Sequence, residues 1–216
     1  MTPRLHRQLV KTAKRVSRPL EQALVRFGRL PMPKRNRHSL ARFLARAIVG
    51  QQLSTVAARS IWARMEAVVA ANDSSMPEFF RGRNARALRR CGVSNAKVRA
   101  LIAIREADHA GLLSVERLRR LAHAQRSECL QEIWGVGQWT ADMASIFYFG
   151  DVDVWPEGDV GVHRGMEAIL GARSRKAVLK IANAFAPYRS FLALYMWRAL
   201  EEPRPARARA ASKRPV

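Results

Sequence analysis

From Ser39 to Leu200 the apolar residues recur at the three- and four-residue spacing of a helix face, and strand-like alternation is scarce. Leu40, Phe43, Leu44, Ala47 and Ile48 line one such face. After a turn over residues 50–53, Ser54 offers a fresh N-cap and leads into Ile61, Met65, Val68 and Val69. Further helices are predicted over residues 84–90, 96–110, 114–124 and 127–134, with Ser114 and Ser127 as N-caps. Trp139, Met143, Ile146 and Phe147 define another, which Gly150 is placed to stop. Helical patterns over residues 160–170, 174–186 and 190–201 complete an all-α reading, and no internal repeat is found.

Charge changes the picture at the two ends. The formal net charge is +22, from 39 Lys and Arg against 17 Asp and Glu, so a polyanionic partner is the economical reading. The first 37 residues hold eleven Lys or Arg and a single acid, Glu21, while residues 203–216 hold five basic residues and no acid. This divides the chain into a basic N-terminal arm (1–38), a helical domain (39–202) and a basic, disordered tail (203–216). Leu20, Leu24 and Phe27 have the spacing of a short amphipathic helix, so part of the arm is expected to be ordered. No apolar stretch approaches the roughly 20 residues that span a bilayer, and residues 1–15 lack a signal-peptide core. A soluble, cytoplasmic protein is expected, nucleoid-associated if bacterial. Cys91 and Cys129 are the only cysteines, which excludes a disulfide framework and any four-cysteine metal or iron–sulfur site.

The chemistry concentrates in the second half. Residues 133–141, Ile-Trp-Gly-Val-Gly-Gln-Trp-Thr-Ala, place two glycines between a helix end and a helix start. Glycine lets backbone amides approach a ligand closely, and amides at a helix N-terminus receive a phosphate oxygen well. The plain alternative is an interhelical turn. Five of the acids lie between Asp142 and Asp159, where negative charge beside a polyanion is costly unless needed. Asp151 and Asp153 read as turn residues, and Asp142 and Glu157 as solvated. Asp159 follows Trp155-Pro156-Glu157-Gly158 and directly precedes a helical run, so it reads as an N-cap. That position also favours the ionised carboxylate, and the two roles do not conflict.

Gly135-Val136-Gly137-Gln138-Trp139-Thr140-Ala141, followed twenty residues after Trp139 by Asp159, resembles the helix-hairpin-helix plus Gly/Pro-Asp motif of base-excision DNA glycosylases. Within that superfamily the chain is similar to the 3-methyladenine DNA glycosylase II branch, in a short form without the N-terminal sheet domain. Residues 48–54, the segment from Leu88 to Leu101 around Gly92 and Lys97, and the run from Pro187 to Trp197 agree with it, so the match covers about residues 39–200.

The resemblance implies a two-lobed helical fold with a DNA cleft between the lobes, and a monomer acting on damaged double-stranded DNA. Asp159 is implied as the carboxylate facing the sugar, either stabilising its developing positive charge or also activating water. Trp139 and Trp197 are implied as an aromatic base pocket, with Met143 and Tyr195 as neighbours. The wedge that fills the duplex when a base is flipped falls on Gln51, Gln52 and Leu53, with Gln52 and Leu53 preferred. Gly135, Val136, Gly137, Thr140, Arg164, Arg189 and Ser190 are implied as contacts to the DNA backbone. Bifunctional relatives carry a lysine where Trp139 stands, so base removal without strand cleavage is expected. No metal or cofactor is implied beyond, at most, a monovalent cation on the hairpin backbone. The competing readings are a related glycosylase for deaminated, etheno or oxidised bases, and a non-catalytic DNA-binding module.

Overall fold

Serine sets many of the helix starts. The hydroxyls of Ser39, Ser54, Ser75, Ser94, Ser114 and Ser174 each accept a hydrogen bond from the backbone N–H three residues on, satisfying a donor that the first turn leaves unpaired. Thr2 does the same for the first helix, with Pro3 at its opening position. The computed structural model describes residues 1–33 and 38–201; residues 34–37 of the expected arm and the expected tail over 203–216 lie outside the described residues. Among the described residues the regular structure is entirely helical, and no helix is long and apolar enough to cross a membrane.

The described residues divide into two compact units, one built from residues 1–32 and 155–201, the other from residues 33 and 38–154. The first contains α1 (Pro3–Val16), α2 (Arg18–Phe27), α11 (Val160–Leu170), α12 (Arg175–Asn183) and α13 (Arg189–Glu201). The sequence reads its opening residues as an arm. In the structure Leu9, Ala13, Leu20 and Leu24 are buried in one core with Val162, Met166, Phe185, Phe191, Leu192 and Met196. Each fully buried leucine stabilises by about 1.5–3 kcal/mol, enough to make α1 and α2 part of the fold. Tyr195, an expected pocket residue, is fully buried in this core. Its hydroxyl donates to the Gly28 carbonyl at 2.7 Å and meets His6 Nδ1 at 2.9 Å, and burial pushes the phenol up to about 12. That placement removes Tyr195 from any surface pocket.

The second unit runs through α3 (Leu40–Gly50), α4 (Thr55–Ala70), the short α5 (Met76–Phe79), α6 (Ala85–Arg90), α7 (Asn95–His109), α8 (Val115–Arg120), α9 (His123–Gln131) and α10 (Gln138–Ala144). Two apolar clusters hold it, and α3 and α7 contribute to both. The boundaries around residue 121 differ from the sequence reading. Leu121 is extended and ends α8, and α9 then starts at His123 with the Gln125 side chain accepting from the Ala122 N–H. Ser127, expected as an N-cap, therefore lies inside α9. α10 passes into a π-helical turn over Ser145–Phe149 that ends at Gly150 in the left-handed conformation.

Candidate active site

In the first unit the turn before α11 is closed by Glu157 N–H to the Trp155 carbonyl and Asp159 N–H to the Pro156 carbonyl, each at 2.9 Å. This delivers Asp159 to the mouth of α11, where its Oδ1 accepts from the Val162 amide at 2.7 Å. The same oxygen accepts from Trp197 Nε1 of α13 at 2.9 Å. Asp159 is 8% exposed, nearly withdrawn from solvent. One oxygen is thus fixed by two N–H donors at the positive end of the α11 dipole.

Two glycines that the sequence reading passed over make this arrangement fit. A Cβ on Gly161 would lie 3.0 Å from Asp159 Oδ1 and 3.0 Å from Trp197 Cδ1. A Cβ on Gly165 would lie 2.1 Å from the Met196 carbonyl oxygen, so α11 and α13 approach backbone to backbone. Their only signal in the sequence is their recurrence four residues apart on one face of a predicted helix. Arg164, on α11, is exposed, whereas Arg189 is half-buried and Nη1 donates to Asn183 Oδ1 at 3.4 Å. Ser190 is fully buried at the start of α13. Its hydroxyl is not on the surface, which corrects its expected place among the DNA-backbone contacts.

In the second unit Gly135 and Gly137 separate α9 from α10. Gly135 has φ +87°, and a Cβ there would come within 2.5 Å of Ala100 Cβ on α7, so only glycine lets the turn lie against that helix. Val136 is buried beneath it, while Gly137 caps α10 in open space and is exposed. A polar network braces the hairpin. Gln138 Oε1 accepts from Gln131 Nε2 at 3.1 Å and Ser127 Oγ at 3.3 Å, and Gln138 Nε2 donates to Asp142 Oδ1 at 2.8 Å. Asp142, expected as a solvated acid, is buried and also meets His123 Nε2 at 3.2 Å. Trp139 is half-buried and Met143 is 7% exposed. Thr140, expected to contact DNA, is instead fully buried, and its hydroxyl accepts from Gln51 Nε2 at 2.9 Å. Trp134 is 42% exposed, with the Arg99 guanidinium 4.2 Å above its ring.

The turn between α3 and α4 divides the wedge candidates. Gln51 is held by Thr140, whereas Gln52 is exposed with φ +57° and Leu53 is 39% exposed. A cavity of about 320 Å³ lined by Arg46, Gly50, Leu53, Thr55, Ala58, Arg59 and Trp62 opens beside this turn. A larger one, about 670 Å³, shares none of these residues. Glu66, Glu78 and Asp108 on its wall suit a polyanion poorly. Among the described residues no group of three His, Cys, Asp or Glu is placed to hold a metal ion.

Comparison with known proteins sets this fold among the helix-hairpin-helix DNA glycosylases. The chain is 32% identical over 159 residues to DNA-3-methyladenine glycosylase 1 of Schizosaccharomyces pombe, spanning 72% of this chain and 70% of that one. The crystal structure of a DNA-3-methyladenine glycosidase from Bacillus halodurans superposes with a TM-score of 0.73 at 32% identity, covering 89% of this chain and 88% of the other. The structure of an S. pombe 3-methyladenine DNA glycosylase in complex with abasic DNA superposes with a TM-score of 0.77 at 28% identity, covering 87% and 95%. No family model matches the chain. The extent and identity of these matches are decisive: the chain belongs to the 3-methyladenine DNA glycosylase family.

Proposed function

We propose that this chain hydrolyses the N-glycosyl bond of alkylated purines of the 3-methyladenine type in duplex DNA, leaving an abasic site and an intact strand. The observation that carries the reading is Asp159, an almost buried carboxylate seated at a helix N-terminus with one oxygen fixed by two N–H donors. As the C1′–N bond breaks, the bonding electrons leave with the base and positive charge develops on the sugar. A preorganised anion in a water-poor site stabilises that charge more than bulk solvent can. Water then adds at C1′ and loses a proton. A purine alkylated on its ring nitrogen is already cationic and leaves without a general acid, so a single carboxylate meets the demand.

The other assignments follow the same logic. Trp197 of the first unit supplies aromatic surface beside Asp159, and Trp139 and Met143 of the second supply aromatic and apolar surface of their own; on such surface stacking and cation–π attraction favour a charged base. Gln52 and Leu53 serve as the wedge; DNA-backbone contacts fall to the Gly135–Gly137 amides in the second unit and, separately, to Arg164 and Arg189 in the first. The S. pombe relative held on abasic DNA supports DNA as the partner and an abasic site as the product. The direct test is release of methylated purines from alkylated duplex DNA by the parent and by Asp159→Asn. Asparagine keeps an oxygen for the Val162 cap, so the variant folds and binds DNA, and its release rate falls by about 10²–10³-fold. An Asp159→Asn protein that excises as fast as the parent overturns the assignment.

A further inference from the structure

Lys97, near the start of α7, reaches across to the end of α3. Its Nζ donates to the Val49 carbonyl at 2.8 Å and to the Gln51 carbonyl at 2.8 Å. Carbonyls at the end of a helix lack partners within it, and a cation is favoured at that negative end of the dipole. Gln51 is thereby held twice, through its carbonyl by Lys97 and through its side-chain amide by Thr140 of α10. With Gln51 fixed, Gln52 takes up the left-handed conformation at φ +57°, strained for a residue with a side chain, and Leu53 follows onto the surface. One turn along α7, Ala100 receives Gly135 of the hairpin. One helix thus backs both the turn that carries the wedge candidates and the loop that carries the hairpin amides. Burial holds the Lys97 ammonium below the usual lysine range, the mark of a cation placed where water is scarce.

We infer that Lys97 is a positioning residue for base eversion, its ammonium fixing the Gln51–Leu53 turn in the strained shape in which Gln52 and Leu53 enter the duplex. The inference rests on the wedge reading of those two residues. Eversion costs a few kcal/mol from a paired site and least from a mismatched one. A residue that acts through the wedge therefore matters in proportion to how well the lesion is paired, and a residue that merely stabilises the fold does not.

The test uses the full chain and a defined alkylated purine, placed opposite its normal partner in one duplex and opposite a mismatch in another, under single-turnover conditions. Lys97→Met is expected to slow release about tenfold or more from the paired duplex and to have at most a small effect on the mismatched one. Leu53→Ala is expected to show the same selectivity. Should Lys97→Met fail to fold by circular dichroism, Thr140→Val, which frees the Gln51 amide alone, is read in the same way. Selectivity in Leu53→Ala with equal or no loss in the Lys97 and Thr140 variants overturns the role of Lys97 and leaves the wedge standing. An absence of selectivity in both Leu53→Ala and Gln52→Ala overturns the wedge reading, and the inference with it.

Discussion

Trp197 donates its indole N–H to Asp159 Oδ1 at 2.9 Å, across the contact of α13 with α11. An aromatic side chain that the resemblance implies as pocket wall is, in the structure, the brace of the carboxylate. Under the proposed function, one ring would then serve both stacking and placement of the charge.

Replacing Trp197 by Phe keeps an aromatic ring and removes that donor. Hydrogen bonds to charged groups contribute about 1.5–3 kcal/mol, so single-turnover base release is expected to fall roughly 10–100-fold. In an Asp159→Asn background the same change should cost much less, because the two residues act as one unit. Additive losses in this double-mutant cycle would show the hydrogen bond to be incidental.

The two hairpin glycines should separate folding from binding. Gly135→Ala forces a side chain into a φ of +87° and against Ala100, and is expected to lower stability by about 1–3 kcal/mol in urea titration together with duplex affinity. A Cβ at Gly137 meets nothing within 4 Å. Gly137→Ala should cost at most about 1 kcal/mol, the ordinary difference at an N-cap, while still weakening duplex binding by filling the surface offered to phosphate. Unchanged affinity in Gly137→Ala would count against the amide contact.

Under the proposed function, Trp139 stands at the place where the resemblance implies a lysine in strand-cutting relatives, so no Schiff-base attack on the sugar is expected from that position. Borohydride added during turnover is expected to trap no covalent protein–DNA adduct, and strand breaks should appear only after alkali. A trapped adduct on a denaturing gel would overturn the monofunctional assignment.

Acid should loosen the second unit through Glu78. Hydrogen bonds from Arg81 and His109 hold its carboxyl down to about 2, against an ordinary value of 4.5. A carboxylate depressed in the folded state stabilises above its unfolded value, and the contribution is lost as pH falls through the folded one. Between pH 4.5 and 2 the urea midpoint of the parent is thus expected to fall more steeply than that of Glu78→Gln. Parallel profiles would show that these exposed contacts do not hold the Glu78 carboxyl down in the folded chain.

The helical course, the hairpin and Asp159 were legible because each depends on local pattern: apolar periodicity, two glycines between helices, an acid just before a helical run. What escaped depends on contacts distant in sequence. Trp197 lies 38 residues from Asp159, and nothing in either segment announces their bond. Gly161 and Gly165 read as unremarkable helix positions until α13 is laid against them. Tyr195 could have been separated from Trp197 on geometry alone, since residues two apart on a helix face away from each other. Only Trp197 reaches Asp159, and Tyr195 fills the core. α1 was missed because its surface is so basic that only Leu9 and Ala13 are buried, and its signal is the Thr2-Pro3 cap. Thr140 and Ser190 carry hydroxyls suited to phosphate, but pattern alone does not say which face of a helix turns inward.

The discontinuous core has a consequence during synthesis. On the ribosome, α1 and α2 emerge well before α13, the helix that Leu20 and Leu24 pack with, and the whole of residues 33–154 is made in between. At ordinary elongation rates of about 5–20 residues per second, the nascent chain waits on the order of ten seconds with that apolar face uncovered. The hairpin's unit can close in the meantime, whereas the carboxylate gains its indole brace only once Trp197 has been added. A product stalled before that point carries the basic charge that draws it to DNA without the finished apparatus for cutting a base away.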